Sequence, residues 1–436
     1  MRFGLACSSL TVVRWLLVIL LLSAPVCADT LVEAVARALA VSPRIDEARA
    51  RVDEATFAID EALAPGRPQL GMNASYTHLD PTVTVPFANL EISAEHNYLV
   101  ALRLQQTLAD FGRVHYANQA AEQHRQASQF ELEESRLGLA QETALVFLQT
   151  LLAEQAVTVA RDELVSRGVQ LEVARQRLET GAVARFDVIR SQAEVAAARQ
   201  RLLAAENGHR LAQARLASLT GGPLAPAELA NLPAPPAGLE QAIELALNRP
   251  ALAGVRAEVE AARARVGLAE SGDNPRVSLQ TEYLRRNATG FSPDHQWTVM
   301  VQLEVPLFDG GLTEARAAQA GSRLDQLEAR LREAERLTRL EAEDAFLALG
   351  SRWLQLEASR EKLEQASEAR RISVLRYRHG LGTLVELLDA EASLTAARVD
   401  ASRARYDYAA AWVAWGRVTG RLTETLQSLC EEDGNA

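Results

Sequence analysis

Cysteine is scarce in this chain. Of three, Cys7 and Cys27 fall in the N-terminal leader described below, which leaves Cys430 alone. A lone thiol forms no internal disulfide, so packing must hold the chain together. Long apolar runs are missing as well. After residue 28 none approaches the roughly 20 residues of a membrane-spanning helix, so entry into a bilayer would have to be made by strands. Basic charge is in deficit: the formal net charge is −11. Such a balance disfavours phosphate backbones, and nucleic acid is not an expected partner. No phosphate loop, nucleophile elbow or zinc-helix motif occurs, so the sequence points to neither an enzyme nor a cofactor. Seven histidines are scattered, and His78, His96 and His295 lie near strand ends without metal-ligand spacing. With few methionines besides, no metal site is expected.

What is present begins with an export leader. Arg2 and Arg14 precede the apolar run WLLVILLL from Trp15 to Leu22, and Val26-Cys27-Ala28 supplies small residues before a cut at Asp29. Residues 1–28 are expected to be removed. A rival reading makes Cys27 a lipid-bearing first residue, although Ala24-Pro25-Val26 lacks the small residue normally found just before such a cysteine.

The chain is written twice. TLVEAVARALAVSP (Thr30 to Pro43) returns as GLEQAIELALNRP (Gly238 to Pro250), and Pro43/Pro250 and Pro68/Pro275 share an offset of 207. Further on the offset is 199, matching Asp110 with Asp309, Gly112 with Gly311 and Gly181 with Gly380. The difference falls between Pro68 and Asp110, as expected of a loop tip of variable length. The expected layout is a first repeat over 29–220, a Pro-rich linker over 221–238, a second repeat over 239–426 and a tail over 427–436.

Proline placement then sorts helix from strand. None of the fifteen prolines lies between Gly112 and Gly222 or after Pro306. These zones are rich in good helix formers, with apolar residues at three- and four-residue steps such as Leu324, Leu327, Leu331, Ala334 and Leu337. Arg113 to Leu178 and Leu312 to Arg378 read as helices roughly 100 Å long at ~1.5 Å per residue. Each ends near a glycine and is followed by a shorter helical stretch, which describes two long helical hairpins. The prolines bracket four segments of period two, forming hairpins over about 68–108 and 275–307. Each segment has an apolar face of its own: Leu70, Met72, Ala74 and Tyr76 in the first, Tyr98, Val100, Leu102 and Leu104 in the second, Val277, Leu279 and Tyr283 in the third, and Trp297, Val299, Val301, Leu303 and Val305 in the fourth, where Met300 is an exception on the polar side. Alternation of this length, with aromatics near the ends, suits membrane strands. Four strands cannot close a barrel, and an open edge is not viable in lipid, so copies must associate. Twelve strands from three copies fall in the usual size range. A periplasmic coiled-coil tether or adaptor, with strands that never enter a bilayer, is the alternative.

Over essentially all of Thr30 to Leu426 the chain resembles the TolC-like outer-membrane efflux family. LEVPLFDGG (Leu303 to Gly311) looks like the family's passage from the last strand into a long helix, with Asp309 and Gly311 in the turn and Asp110 and Gly112 their counterparts. GAVARFDVIRSQAEV (Gly181 to Val195) and YRHGLGTLVELLDAEASL (Tyr377 to Leu394) look like its two hairpin tips. The resemblance implies a homotrimer in which a twelve-stranded barrel in outer-membrane lipid continues into an α-helical barrel through the periplasm. Its far end meets a periplasmic adaptor and an inner-membrane pump, serving efflux or protein secretion. Residue by residue, Glu386 and Asp389 match two acidic positions that ring the closed periplasmic mouth. Six carboxylates in such a constriction would favour cations. Asp187 and Tyr377 match a contact that latches one hairpin to its neighbour. The arginine that assists this latch in the family is replaced here by Gly382. Gly181, Gly380 and Gly382 are expected to reverse the chain at the tips and, by the resemblance, to meet the adaptor.

Overall fold

The computed structural model describes residues 30–82, 84–85, 90–91, 95–181, 183–287 and 293–430. The expected leader, its cleavage site and Cys27 lie outside these residues. In chain order the elements are α1 (Leu31–Val41), α2 (Pro43–Leu63), β1 (Gln69–His78), β2 (Thr84–Val85), β3 (Leu90–Glu91), β4 (His96–Ala109), α3 (Arg113–Glu179) and α4 (Arg185–Thr220). The second half contributes α5 (Leu239–Leu247), α6 (Pro250–Glu270), β5 (Arg276–Arg286), β6 (His295–Glu304), α7 (Leu312–Arg378), α8 (Leu384–Val418) and α9 (Leu422–Cys430). Both long helices, α3 and α7, have 67 residues, and α2 and α6 both have 21. Equal lengths on either side confine the change of repeat offset to the strand hairpins.

The chain divides into two compact units, one of them made of Pro43–Arg136 and Glu240–Ala342. It holds an antiparallel four-stranded sheet in the order β1-β4-β5-β6, so β1 and β6 are its free edges. The register pairs Leu70 with Leu104, Met72 with Leu102 and Tyr76 with Tyr98. It continues through Leu102 with Tyr283, Tyr283 with Trp297 and Leu279 with Val301. Since side chains alternate with period two, these pairs stand on one face and fuse four half-apolar strands into one apolar surface. That surface is bare: Trp297, Val299 and Leu303 are 68%, 69% and 64% exposed. The opposite face is polar, crossed by an Arg103–Glu282 ion pair at 2.7 Å and a Gln280–Gln302 hydrogen bond at 3.1 Å.

The other unit takes the chain up to Ser42, Leu137–Leu239, and Glu343 onward. Its α1 starts with a capping box: Thr30 accepts from the Glu33 N–H, while the Glu33 carboxylate accepts from the Thr30 N–H. Tyr408, Ala409, Trp412, Val413 and Trp415 of α8 are buried, against Trp353 (ring centroids 5.2 Å from Tyr408) and Phe346 (6.1 Å from Trp415) of α7.

Residues 221–238, the Pro-rich linker, lie packed, because Tyr406 donates to Glu228 at 2.9 Å, Arg405 to the Leu229 carbonyl at 2.9 Å, and Tyr408 to the Pro233 carbonyl. Leu224 and Leu229 are buried with them. The tail expected from 427 starts later, since Leu426 and Leu429 bury one side of α9, which runs to Cys430. Finally, α3 does contain an 18-residue stretch apolar enough in composition to cross a membrane, 44% of it buried. The same helix buries Leu139, Ala144, Phe147, Leu148 and Leu151 within this unit, along with Thr143 and Thr150, whose hydroxyls donate to carbonyls one turn back. Core packing accounts for its apolar character.

Candidate gate at the helical hairpin tips

The unit made of the chain up to Ser42, Leu137–Leu239 and Glu343 onward carries every residue expected at a gate. Both tips reverse on a left-handed glycine, Gly181 at φ 71° and Gly380 at φ 75°. A Cβ at either would meet nothing within 4 Å, so the demand is on the backbone angle. At Gly382 the demand is on space, because a Cβ would lie 3.2 Å from Arg376 Cβ and 3.2 Å from a Glu386 carboxylate oxygen. The second tip closes by N–H donation from Gly380 to the Tyr377 carbonyl (3.1 Å) and from Leu381 to the Arg376 carbonyl (2.8 Å). These bonds satisfy the last carbonyls of α7.

Thr383 then caps α8, its hydroxyl accepting from the Glu386 N–H at 3.2 Å. Glu386 and Asp389 stand exposed, one turn apart, while Leu387 and Leu388 turn inward. The acidic pair therefore occupies a solvent-facing strip, with Arg376 3.7 Å from Glu386. In the first hairpin Asp187 holds the same third position of α4 that Glu386 holds in α8. It is half-buried, at a helix start without a side-chain cap.

Tyr377 is 7% exposed. The Arg177 guanidinium lies 4.3 Å from its ring centroid and donates to its backbone carbonyl at 2.9 Å. Within the chain the ring of Tyr377 thus meets Arg177 of α3, and no hydrogen bond joins Tyr377 to Asp187 among the described residues. Arg177 was not singled out by the sequence. The 199-residue offset, which matches it to Arg376 at the other tip, is the signal that could have found it.

A second feature without a sequence signal is Glu391, whose side chain is 9% exposed. Arg370 of α7 donates to it at 2.8 Å and Ser166 of α3 at 3.1 Å, so one carboxylate ties three helices together. Glu163, also 9% exposed, receives two hydrogen bonds from Arg201 of α4, at 2.8 and 3.0 Å. A groove of about 390 Å³ runs past Val165, Val169, Arg370, Tyr377, Glu391 and Arg398.

The strand-to-helix turns lie in the sheet-bearing unit. Asp110 accepts from the N–H groups of Gly112 (3.3 Å) and Val114 (2.8 Å), with Gly112 at φ 110°. Asp309 accepts from Gly311 (2.9 Å), Leu312 (3.0 Å) and Thr313 (2.7 Å), with Gly311 at φ 82°. The Thr313 side chain, then these backbone N–H groups, hold the Asp309 carboxyl below the ordinary aspartate range. Each long helix therefore starts on a carboxylate placed against its first free amides. The strand register also brings His78 beside His96 and its chain neighbour Glu95, where no metal site was expected.

A sheet with one bare apolar face and two free edges, built with paired helical hairpins, defines a subunit of a composite membrane channel. The profile of the outer membrane efflux protein family matches residues 34–222 and 242–421. The chain belongs to that family. It is 23% identical over 315 residues to nodulation protein T of Rhizobium leguminosarum bv. trifolii, spanning 69% of this chain and 67% of that protein. To the alkaline protease secretion protein AprF of Pseudomonas aeruginosa it is 27% identical over 357 residues, or 75% and 70% of the two chains. Its fold is similar to that of the outer membrane protein VceC from Vibrio cholerae, with a TM-score of 0.76 at 21% identity over 92% of this chain and 97% of that one. The chain is a Gram-negative outer-membrane channel that extends into the periplasm, the exit duct of a tripartite export system. The family is one of transport channels, and its members are trimers that work with adaptors and inner-membrane pumps.

Proposed function

We propose that three copies of this chain join β6 of one protomer to β1 of the next, closing a twelve-stranded barrel with its apolar face toward lipid. Because the strands alternate direction in the order β1-β4-β5-β6, the joined edges are antiparallel like every other pair. The polar face, with Arg103, Glu282, Gln280 and Gln302, then lines a water-filled bore. The long hairpins continue the bore toward the periplasm, and their tips form its gate. Glu386 and Asp389 supply a carboxylate ring that prefers cations. Asp187 and Tyr377 latch neighbouring hairpins, and Arg177 holds the tyrosine ring in place for that contact. The passage conducts passively, without catalysis, what an inner-membrane pump and an adaptor at the tips deliver. AprF by its name serves protease secretion, and this chain is read as a duct of the same kind, its cargo chosen by the pump.

One observation carries this reading: a contiguous apolar sheet face left bare beside two unpaired edges. In water that surface is a liability, and in lipid it becomes a solvent match once the edges are closed. The test is purification in detergent followed by planar-bilayer recording. Trimers giving single-channel steps support the duct, whereas a monomer that stays soluble without detergent overturns it.

A further inference from the structure

We propose that His78, Glu95 and His96 form a binding site for a divalent transition-metal ion at the end of the sheet away from the helices. His78 ends β1 and His96 begins β4, and the two are direct cross-strand partners. The Nδ1 of His78 and the Nε2 of His96 each lie 3.9 Å from the same oxygen, Oε1 of Glu95. All three donor atoms fall within 4.8 Å of one another. Donors about a tetrahedral ion with bonds of ~2.0–2.1 Å stand roughly 3.4 Å apart, so closure needs movements of roughly 0.5–1.5 Å. Side chains that are 49%, 59% and 62% exposed can make them by small rotations.

The surroundings favour this geometry over a chance meeting. Tyr76 Oη lies 2.7 Å from His96 Nδ1, which occupies that nitrogen and leaves Nε2 turned toward Glu95. A hydrogen bond to the non-ligating nitrogen is how ligand histidines are commonly oriented. The two imidazoles stack with centroids 5.1 Å apart. The His96 carbonyl accepts from Asn287 Nδ2 at 2.8 Å, and the Glu95 carbonyl from the Leu79 N–H at 2.8 Å, so the backbone under both ligands is held. Two imidazoles and one carboxylate select borderline ions such as Zn²⁺, Ni²⁺ or Cu²⁺ over Mg²⁺ and Ca²⁺, which prefer all-oxygen shells. The remaining coordination positions open to water, so the ion exchanges freely. A bound ion clasps the ends of β1 and β4 where their pairing stops. On the channel reading this clasp sits at the extracellular mouth, but metal binding itself does not depend on that reading.

Chelator-treated full-length protein in detergent is titrated with Zn²⁺ by calorimetry, and with Cu²⁺ by electron paramagnetic resonance. One zinc per chain is expected, together with a two-nitrogen copper signature and no competition from equimolar Mg²⁺. His78→Ala and His96→Ala should each lower zinc affinity by about tenfold or more, and Tyr76→Phe by about tenfold. The double change Glu386→Gln with Asp389→Asn should leave zinc affinity unchanged, separating the site from the tip carboxylates. Undiminished zinc affinity in the His78→Ala/His96→Ala protein overturns the site, as does wild-type protein that takes up no zinc saturably. A folded protein that binds zinc without conducting ions would keep the site and remove the channel reading.

Discussion

Arg177 and Arg376 occupy equivalent places in the two repeats but hold different partners, Tyr377 in one case and Glu386 in the other. Arg177→Ala removes a ring contact and a hydrogen bond together worth about 1–2 kcal/mol, which corresponds to roughly a tenfold rise in open-state population if the shut state alone uses them. Asp187→Ala and Tyr377→Phe should act in the same direction, and raised conductance in planar bilayers is the measurement. Unchanged conductance in all three proteins would remove the latch. Glu386→Gln with Asp389→Asn should weaken cation preference, read as a smaller reversal potential under a salt gradient. Residue-scale features were the least legible in the sequence. Glu386 and Asp389 could be placed on one helix face by their spacing alone. Nothing in spacing says that Glu391, two residues further, turns inward to meet Arg370 and Ser166, because its partners sit on other helices. The pairing of His78 with His96 was hidden for the same reason, and becomes visible only when the strand register is known.

At the scale of elements, the long helices were legible almost to the residue. A continuous run without proline, between a carboxylate turn and a glycine, leaves few other places to start or stop. The caps that start them are testable. Asp110→Ala should cost about 1 kcal/mol by exposing the first amides of α3. Asp309→Ala should lower the melting temperature near neutral pH. Because the folded carboxyl sits below its ordinary pKa, its stabilisation is present above the unfolded value and is lost as pH falls through the folded one. The melting difference between wild type and Asp309→Ala should therefore shrink in acid, and a difference that grows there would contradict the cap. Strand faces were also legible, since period two puts Leu70, Met72 and Tyr76 together whatever they pair with. Which strands pair was not: β4 joins β5 across the two repeats, a tertiary outcome with no local signal. The packing of the linker 221–238 had no local signal for the same reason, since Tyr406, Tyr408 and Arg405 of another element supply the hydrogen bonds that hold it.

For the whole molecule, the doubled sequence became a doubled series of elements, and the fold class followed from it. Membrane residence depends on one face of one sheet, and substitutions there test it. Val299→Lys places a charge on the bare face of β6, and a lysine at bilayer mid-depth costs about 2–4 kcal/mol. Reduced recovery of trimer from outer membranes is expected. Thr298→Lys, on the polar face, should be recovered like wild type. Equal losses for both would mean that neither face meets lipid.

The free edges β1 and β6 differ from each other, so every junction joins unlike surfaces, and such head-to-tail assembly stops only when a ring closes. A protomer whose β6 can no longer donate, for example with a proline at an inward-bonding position, would still be accepted through its intact β1 and would terminate the growing arc. Expressed alongside an equal amount of normal chain, one such allele would leave only about one trimer in eight free of a defective seam. A lesion in this gene should therefore be dominant when it blunts an edge, and recessive when it unfolds the chain.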